Sequence, residues 1–280
     1  MREPDVQESY VPVKGGSLYV RHTEIDPMKK TVLFLHGLGE SGLSFSEAFD
    51  EIGLKEYNIV VPDLLGYGRS SAVKGNDYSF EAQIKRIWQL ADHQHFDLQE
   101  IHLIGHSLGG DLATSLCEQD DETRIKSLVN VEGNLTSHDL FISRKVAWAA
   151  KRPNFKQWFR DEFKQKIVFE DKGKSSYSWR RYYASLWFCR PEAFGANATE
   201  LYEKNLPIEG KLACEAGARF QRLGVKKVFC WGDESLHETT IDFLAKVDFK
   251  NRSFRGAGHW PMIDCQEEFY GFLRVFLAGA

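Results

Sequence analysis

An apolar run of strand length, residues 101–104, leads straight into Gly105-His106-Ser107-Leu108-Gly109, and a helical stretch, 108–118, follows. A Gly-x-Ser-x-Gly between strand and helix turns the chain so sharply that the serine hydroxyl stands exposed at the sheet edge, free to attack an electrophile. The same five-residue pattern also describes an N-cap serine after a glycine turn. Its strand-to-helix setting favours Ser107 as a nucleophile. A serine hydroxyl is a weak nucleophile until a base takes its proton, and a neutral imidazole does this best near pH 7.

Positioning such a residue needs a sheet. Short apolar runs at 31–35, 58–61, 101–104, 127–131 and 225–231 are bounded by turn residues and read as strands buried on both faces. Residues 10–13 and 18–21 flank Lys14-Gly15-Gly16-Ser17 and read as a hairpin. Between the runs lie helical stretches, among them 80–93, with Ile84, Ile87, Trp88 and Ala91 at helical spacing. Alternating strands and helices predict an α/β fold with a mostly parallel central sheet flanked by helices.

The alternation fails between 135 and 209. Residues 144–190 hold 13 basic and 4 acidic residues, +9 in a chain whose formal charge is −4, together with 12 of its 37 aromatics. This segment reads as an insertion. Within it, residues 154–169 form a basic amphipathic helix, with Phe155, Phe159, Phe163 and Ile167 on one stripe and Lys156, Arg160 and Lys164 on another. The stripe suits an element covering a site; the competing reading is a membrane-surface or partner contact.

Composition narrows the classes further. With 42% apolar and 27% charged residues in 280, the chain can bury a core, and disorder is excluded. A net charge of −4 gives no chain-wide footprint for nucleic acid. Five scattered cysteines without a CxxC pair suggest neither disulfides nor zinc. The first five residues lack the apolar stretch of a signal peptide, and no run approaches a membrane span, so a cytoplasmic protein is expected.

Four motifs, in order, resemble the α/β-hydrolase superfamily in its serine-nucleophile branch: His36-Gly37-Leu38-Gly39-Glu40, Asp63-Leu64-Leu65-Gly66-Tyr67-Gly68-Arg69-Ser70, the Ser107 elbow, and Gly256-Ala257-Gly258-His259-Trp260-Pro261. The resemblance implies a core of residues 1–134 and 210–280 with a helical cap of 135–209. It also implies His259 as the base and an oxyanion hole made by the backbone N–H groups of Leu38 and Leu108. Most relatives carry the triad acid as an Asp three residues after the glycine ending the seventh strand. Counted from Gly232 that place holds Ser235, which cannot serve. Glu132, directly after the strand at 127–131, is the favoured acid, as in branches that place it after the sixth strand; Glu234 and Asp233 are the alternatives.

The reaction these residues imply is hydrolysis of a carboxylic ester through an acyl-enzyme, with no metal or cofactor. Lactone, thioester and carbon–carbon bond hydrolysis use the same triad, and a non-catalytic ligand receptor is the reading from a different class. His36, Gly37, His106 and Trp260 are expected around a small acyl substrate. Trp179, Tyr183 and Trp187 are expected to reach it from the insertion. Monomer and dimer both remain open.

Overall fold

The computed structural model describes residues 6–73 and 75–279. Residues 1–5, read above for a leader, lie outside the described residues. Eight strands form one sheet: β1 (Gln7–Val13), β2 (Gly16–His22), β3 (Thr31–Leu35), β4 (Asn58–Pro62), β5 (Ile101–His106), β6 (Ile125–Val131), β7 (Lys226–Gly232) and β8 (Lys250–Phe254). Their order is β1-β2-β4-β3-β5-β6-β7-β8. The β1–β2 hairpin joins β4 antiparallel, and every pairing from β4 to β8 is parallel.

Parallel neighbours need crossovers, and these supply the helices. In chain order they are α1 (Phe80–Ala91), α2 (Leu108–Glu118), α3 (Phe141–Ala150), α4 (Phe155–Trp158), α5 (Tyr177–Leu186), α6 (Pro191–Lys204), α7 (Glu215–Arg222), α8 (Glu238–Leu244), α9 (Pro261–Asp264) and α10 (Gln266–Ala278). Ser79 caps α1 by accepting from Ala82 N–H, and the predicted apolar face turns inward through Ile84, Ile87 and Ala91. Strands β3, β4 and β5 are buried along their whole lengths, which is why their runs carry no polar alternation. No helix among the described residues is long and apolar enough to cross a membrane.

Between β6 and β7 no further strand of the sheet intervenes, and helices fill the segment. The expected helix at 154–169 begins at Phe155 and continues to Gly173, widening to π geometry from Phe159. A separate helix, α3, precedes it. Phe159 and Phe163 are buried and pack on Phe194, with ring centroids 4.7 and 5.0 Å apart, so this apolar stripe is occupied within the molecule. Lys164, from the basic stripe, is buried, its ammonium 4.0 Å from the Trp187 ring centroid. Polar anchors tie the segment to the sheet domain. Tyr67 Oη–H donates to Asn197 Oδ1 at 2.7 Å, Phe80 N–H to Glu200 Oε2 at 2.8 Å, and Arg190 N–H to the Gly66 carbonyl at 2.9 Å.

Tight backbone approach fixes the turn that carries Ser107. A Cβ at Gly109 would stand 2.1 Å from the Leu35 carbonyl oxygen, and one at Gly105 2.3 Å from the Gly109 carbonyl oxygen. Backbone atoms cannot rotate away as a side chain can. Gly109→Ala is therefore expected to destabilise the fold by about 3 kcal/mol or more, the upper end for overpacking. Urea unfolding checks this: the midpoint should fall with little change in slope.

Candidate active site

β5 ends at His106, α2 begins at Leu108, and Ser107 between them has φ +51° and ψ −119°. A non-glycine residue there costs on the order of 1–3 kcal/mol and persists only where its surroundings over-determine it. The surroundings here are the two glycines and the Ser107 N–H, which donates to the Val131 carbonyl at 2.8 Å. The Leu108 N–H, at the first position of α2, has no intrahelical acceptor and lies beside the positive end of the helix dipole.

Glu132 follows β6 with φ +55°, a second side chain held in the left-handed region. Its backbone N–H donates to the Cys230 carbonyl at 2.9 Å, pinning the turn against β7. The carboxylate is buried and takes three hydrogen bonds. Oε1 accepts from Gly232 N–H at 2.7 Å, while Oε2 accepts from Ser235 Oγ–H at 2.5 Å and lies 3.0 Å from His259 Nδ1. Burial pushes the His259 pKa down, but the hydrogen bond and charge of Glu132 outweigh it, and the net shift is upward from 6.5.

Ser107, Glu132 and His259 line one cavity of about 600 Å³. Leu38, Trp260 and Ser235 join them from the sheet domain. Ile142, Phe163, Ile167, Trp179, Tyr182 and Leu201 line it from the helical segment together with Ser143, Lys145 and Lys172, giving a wall with a substantial apolar part.

A family model described as the alpha/beta hydrolase fold matches residues 30–264. The chain belongs to the α/β-hydrolase family. Among curated relatives, the magnesium-chelatase 30 kDa subunit of Rhodobacter capsulatus is 36% identical over 85 residues, 30% of this chain and 29% of the relative. Lipase 3 of Moraxella sp. (strain TA144) is 32% identical over 124 residues, 44% of this chain and 38% of the relative. Proline iminopeptidase of Clostridioides difficile (strain 630) is 34% identical over 108 residues, 38% and 36% of the two chains. The matched segments thus span about a third of these relatives' length. Two solved structures share the fold across nearly the whole chain. An N-acyl homoserine lactonase, AidH, complexed with N-hexanoyl homoserine has a TM-score of 0.72 at 16% identity, covering 97% of this chain and 96% of its own. A thermophilic esterase from Thermogutta terrifontis has a TM-score of 0.73 at 18% identity, covering 98% of each chain.

Within this α/β-hydrolase the expected site residues separate by whether they reach the cavity. Leu38, Ser107, Glu132, Trp179, His259 and Trp260 line the cavity. His36, Gly37 and His106, expected around the substrate, do not: His36 and His106 are fully buried behind it. His36 Nε2 accepts from Leu64 N–H at 3.0 Å, tying the turn after β3 to the loop after β4. Tyr183 and Trp187 also stay outside. Tyr183 Oη–H donates to Gln165 at 3.0 Å and Trp187 lies over Lys164, because one helix cannot aim all the aromatics of α5 and its end at one cavity. Of the alternative carboxylates, Asp233 Oδ1 accepts from Gly256 N–H at 2.7 Å, and Glu234 stands exposed at the cavity wall.

Two residues of the hydrolase escaped the sequence reading. Ser235, dismissed as the acid, donates to the Glu132 carboxylate. Glu40, the last residue of the His36 motif, is buried in the cavity wall and contacts Trp260 and His106. The readable signal for Glu40 was a carboxylate inside an otherwise glycine-rich apolar turn.

Proposed function

We propose that the chain is a serine hydrolase that cleaves carboxylic esters through an acyl-enzyme, with Ser107 as nucleophile, His259 as base and Glu132 as the acid that orients it. The observation that carries this is the 3.0 Å contact between His259 Nδ1 and Glu132 Oε2 in a cavity that also holds Ser107 on its strained turn. Glu132 holds the proton on His259 Nδ1, leaving Nε2 free to accept the Ser107 proton.

The Ser107 oxygen then bonds to the acyl carbon, and the carbonyl electrons move onto an oxygen held by the Leu38 and Leu108 N–H groups. As the tetrahedral intermediate collapses, the bond to the leaving alkoxide breaks and the imidazolium returns its proton to that oxygen. Water, deprotonated by His259, next attacks the acyl-enzyme, releasing the acid and regenerating Ser107.

We assign residues 135–209 the role of a cap, because α3, the 155–173 helix, α5 and α6 all contribute to the cavity wall over Ser107. The apolar wall suits an acyl chain. A cyclic ester is the second reading, favoured by the shared fold with a lactonase that accommodates an N-hexanoyl group. The low identity carries the fold alone, so substrate choice rests on the cavity.

Labelling with a fluorophosphonate, followed by turnover of p-nitrophenyl esters and N-acyl homoserine lactones of increasing chain length, tests the proposal. Ser107-dependent labelling with an optimum at short or medium chains is expected. A protein that binds acyl compounds but is neither labelled nor turns them over would instead be a ligand receptor.

A further inference from the structure

We propose that Glu40 is a positioning residue for hydrolysis, clamping the oxyanion turn, the nucleophile elbow and the His259 loop into one unit at the cavity wall. The inference rests on the serine-hydrolase reading above. Glu40 is 2% exposed. Its Oε2 accepts from Gly37 N–H at 3.1 Å and Ser44 Oγ–H at 2.8 Å. Its Oε1 accepts from Trp260 Nε1–H at 2.9 Å and lies 2.9 Å from His106 Nδ1. The other nitrogen of His106, Nε2, donates to the His259 carbonyl at 2.8 Å.

Each of three of these partners is the chain neighbour of a working residue. Gly37 precedes Leu38, His106 precedes Ser107, and Trp260 follows His259. One carboxylate therefore sets the spacing between oxyanion donor, nucleophile and base, although the three come from different ends of the chain. A misplacement of such groups by about 1 Å can cost on the order of 100-fold in rate.

Packing alone is a poor account of this residue. A buried ionised carboxylate costs several kcal/mol unless its oxygens are fully satisfied, and an apolar side chain would fill the same space without that penalty. Here Oε2 has two donors, and Oε1 has the Trp260 indole N–H, with His106 Nδ1 2.9 Å away. Burial pushes the Glu40 pKa upward, yet the charge of His106 and the bonds from His106 and Trp260 hold it down to about 2. The ring of His106, in contact with this carboxylate, has its centroid 4.7 Å from that of His259.

The charges facing His259 come from three elements, Glu132 after β6, Glu40 from the turn after β3 and Asp139 from the start of the cap, while His106 at the end of β5 packs against its ring. The carboxylates all favour its protonated form, against burial. Removing the Glu40 charge should accordingly lower the pH at which His259 loses its proton.

The test compares wild type, Glu40→Gln, His106→Gln and the double variant. It follows fluorophosphonate labelling of Ser107 and kcat and KM for the best ester against pH, with thermal unfolding alongside. Glu40→Gln is expected to lose roughly 10- to 100-fold in kcat with KM nearly unchanged. The acidic limb of its kcat/KM profile should move to lower pH, and the double variant should be no slower than the slower single variant. Should Glu40→Gln not fold, Ser44→Ala, which removes one donor and keeps the charge, should give a smaller kcat loss with the limb unmoved. Wild-type labelling and an unshifted pH profile in Glu40→Gln would overturn the proposal. So would a loss that follows the unfolding temperature while the limb stays in place. A wild type that no phosphonate labels would remove the hydrolase reading, and this one with it; a labelled wild type confines the failure to Glu40.

Discussion

Replacing Ser107 with alanine is expected to lower kcat for ester hydrolysis by roughly 10⁶-fold while KM changes little. The apolar side chains of the cavity wall are untouched, while the proposed nucleophile, on the turn after β5 in the same cavity as His259, is lost. His259→Ala should cost a similar amount, and the double variant no more than either, because each deletion alone already prevents attack. Stability gives an independent check on the elbow. Ser107 sits at φ +51°, so Ser107→Gly should be as inactive as Ser107→Ala yet more stable than it by about 1 kcal/mol, since glycine carries no Cβ into that conformation. Steady-state kinetics with thermal unfolding of the two variants decides both points. An alanine variant that retains measurable Ser107-like turnover would place the nucleophile elsewhere.

Much of this arrangement was legible in the sequence because the buried parallel strands carry their signal locally. The runs at 31–35 and 108–118 coincide with β3 and α2, and the turn between β5 and α2 announces itself through glycines that no other residue can replace. What escaped has a common cause. β8 reads Lys250-Asn251-Arg252-Ser253-Phe254, four exposed residues and one buried, because an edge strand has one neighbour and needs no apolar run. α3 turns Phe141 and Trp148 to solvent, which blurs the helical stripe that would have revealed it. Glu40 finds its indole partner 220 residues away, and nothing in a single turn of sequence encodes that encounter. Ser235 shows the same limit from the other side. Its type excluded it as an acid, while its position, which the fold alone supplies, makes it a donor to the Glu132 carboxylate.

Glu132→Gln is expected to lower kcat by roughly 10⁴-fold, the loss that follows when the base is held in the wrong tautomer. The neighbours dictate this outcome. Gly232 N–H is a fixed donor to Oε1, so the glutamine must place its oxygen there and its NH₂ where Oε2 lay, facing Ser235 and His259. The hydroxyl of Ser235 can rotate to accept. His259 Nδ1 can then only accept as well, which puts the proton on Nε2, where it blocks transfer from Ser107. The pH dependence moves with it. Glu132 holds the His259 pKa above 6.5, so wild-type kcat/KM should rise through an acidic limb above that of a free imidazole, and in Glu132→Gln the limb of the residual activity should fall. Asp233→Asn and Glu234→Gln should remain close to wild type, because no hydrogen bond joins either carboxylate to His259 among the described residues. A collapse in Glu234→Gln with Glu132→Gln active would move the acid to the loop after β7. The side chain at 235 already reaches to 2.5 Å from the Glu132 carboxylate. Ser235→Asp introduced into the Glu132→Gln background should therefore recover kcat by roughly tenfold or more, by returning an acceptor to the space beside Nδ1. Recovery there, and none from an Asp placed at Leu236, would tie the requirement to charge at that point in space rather than to the element that carries it.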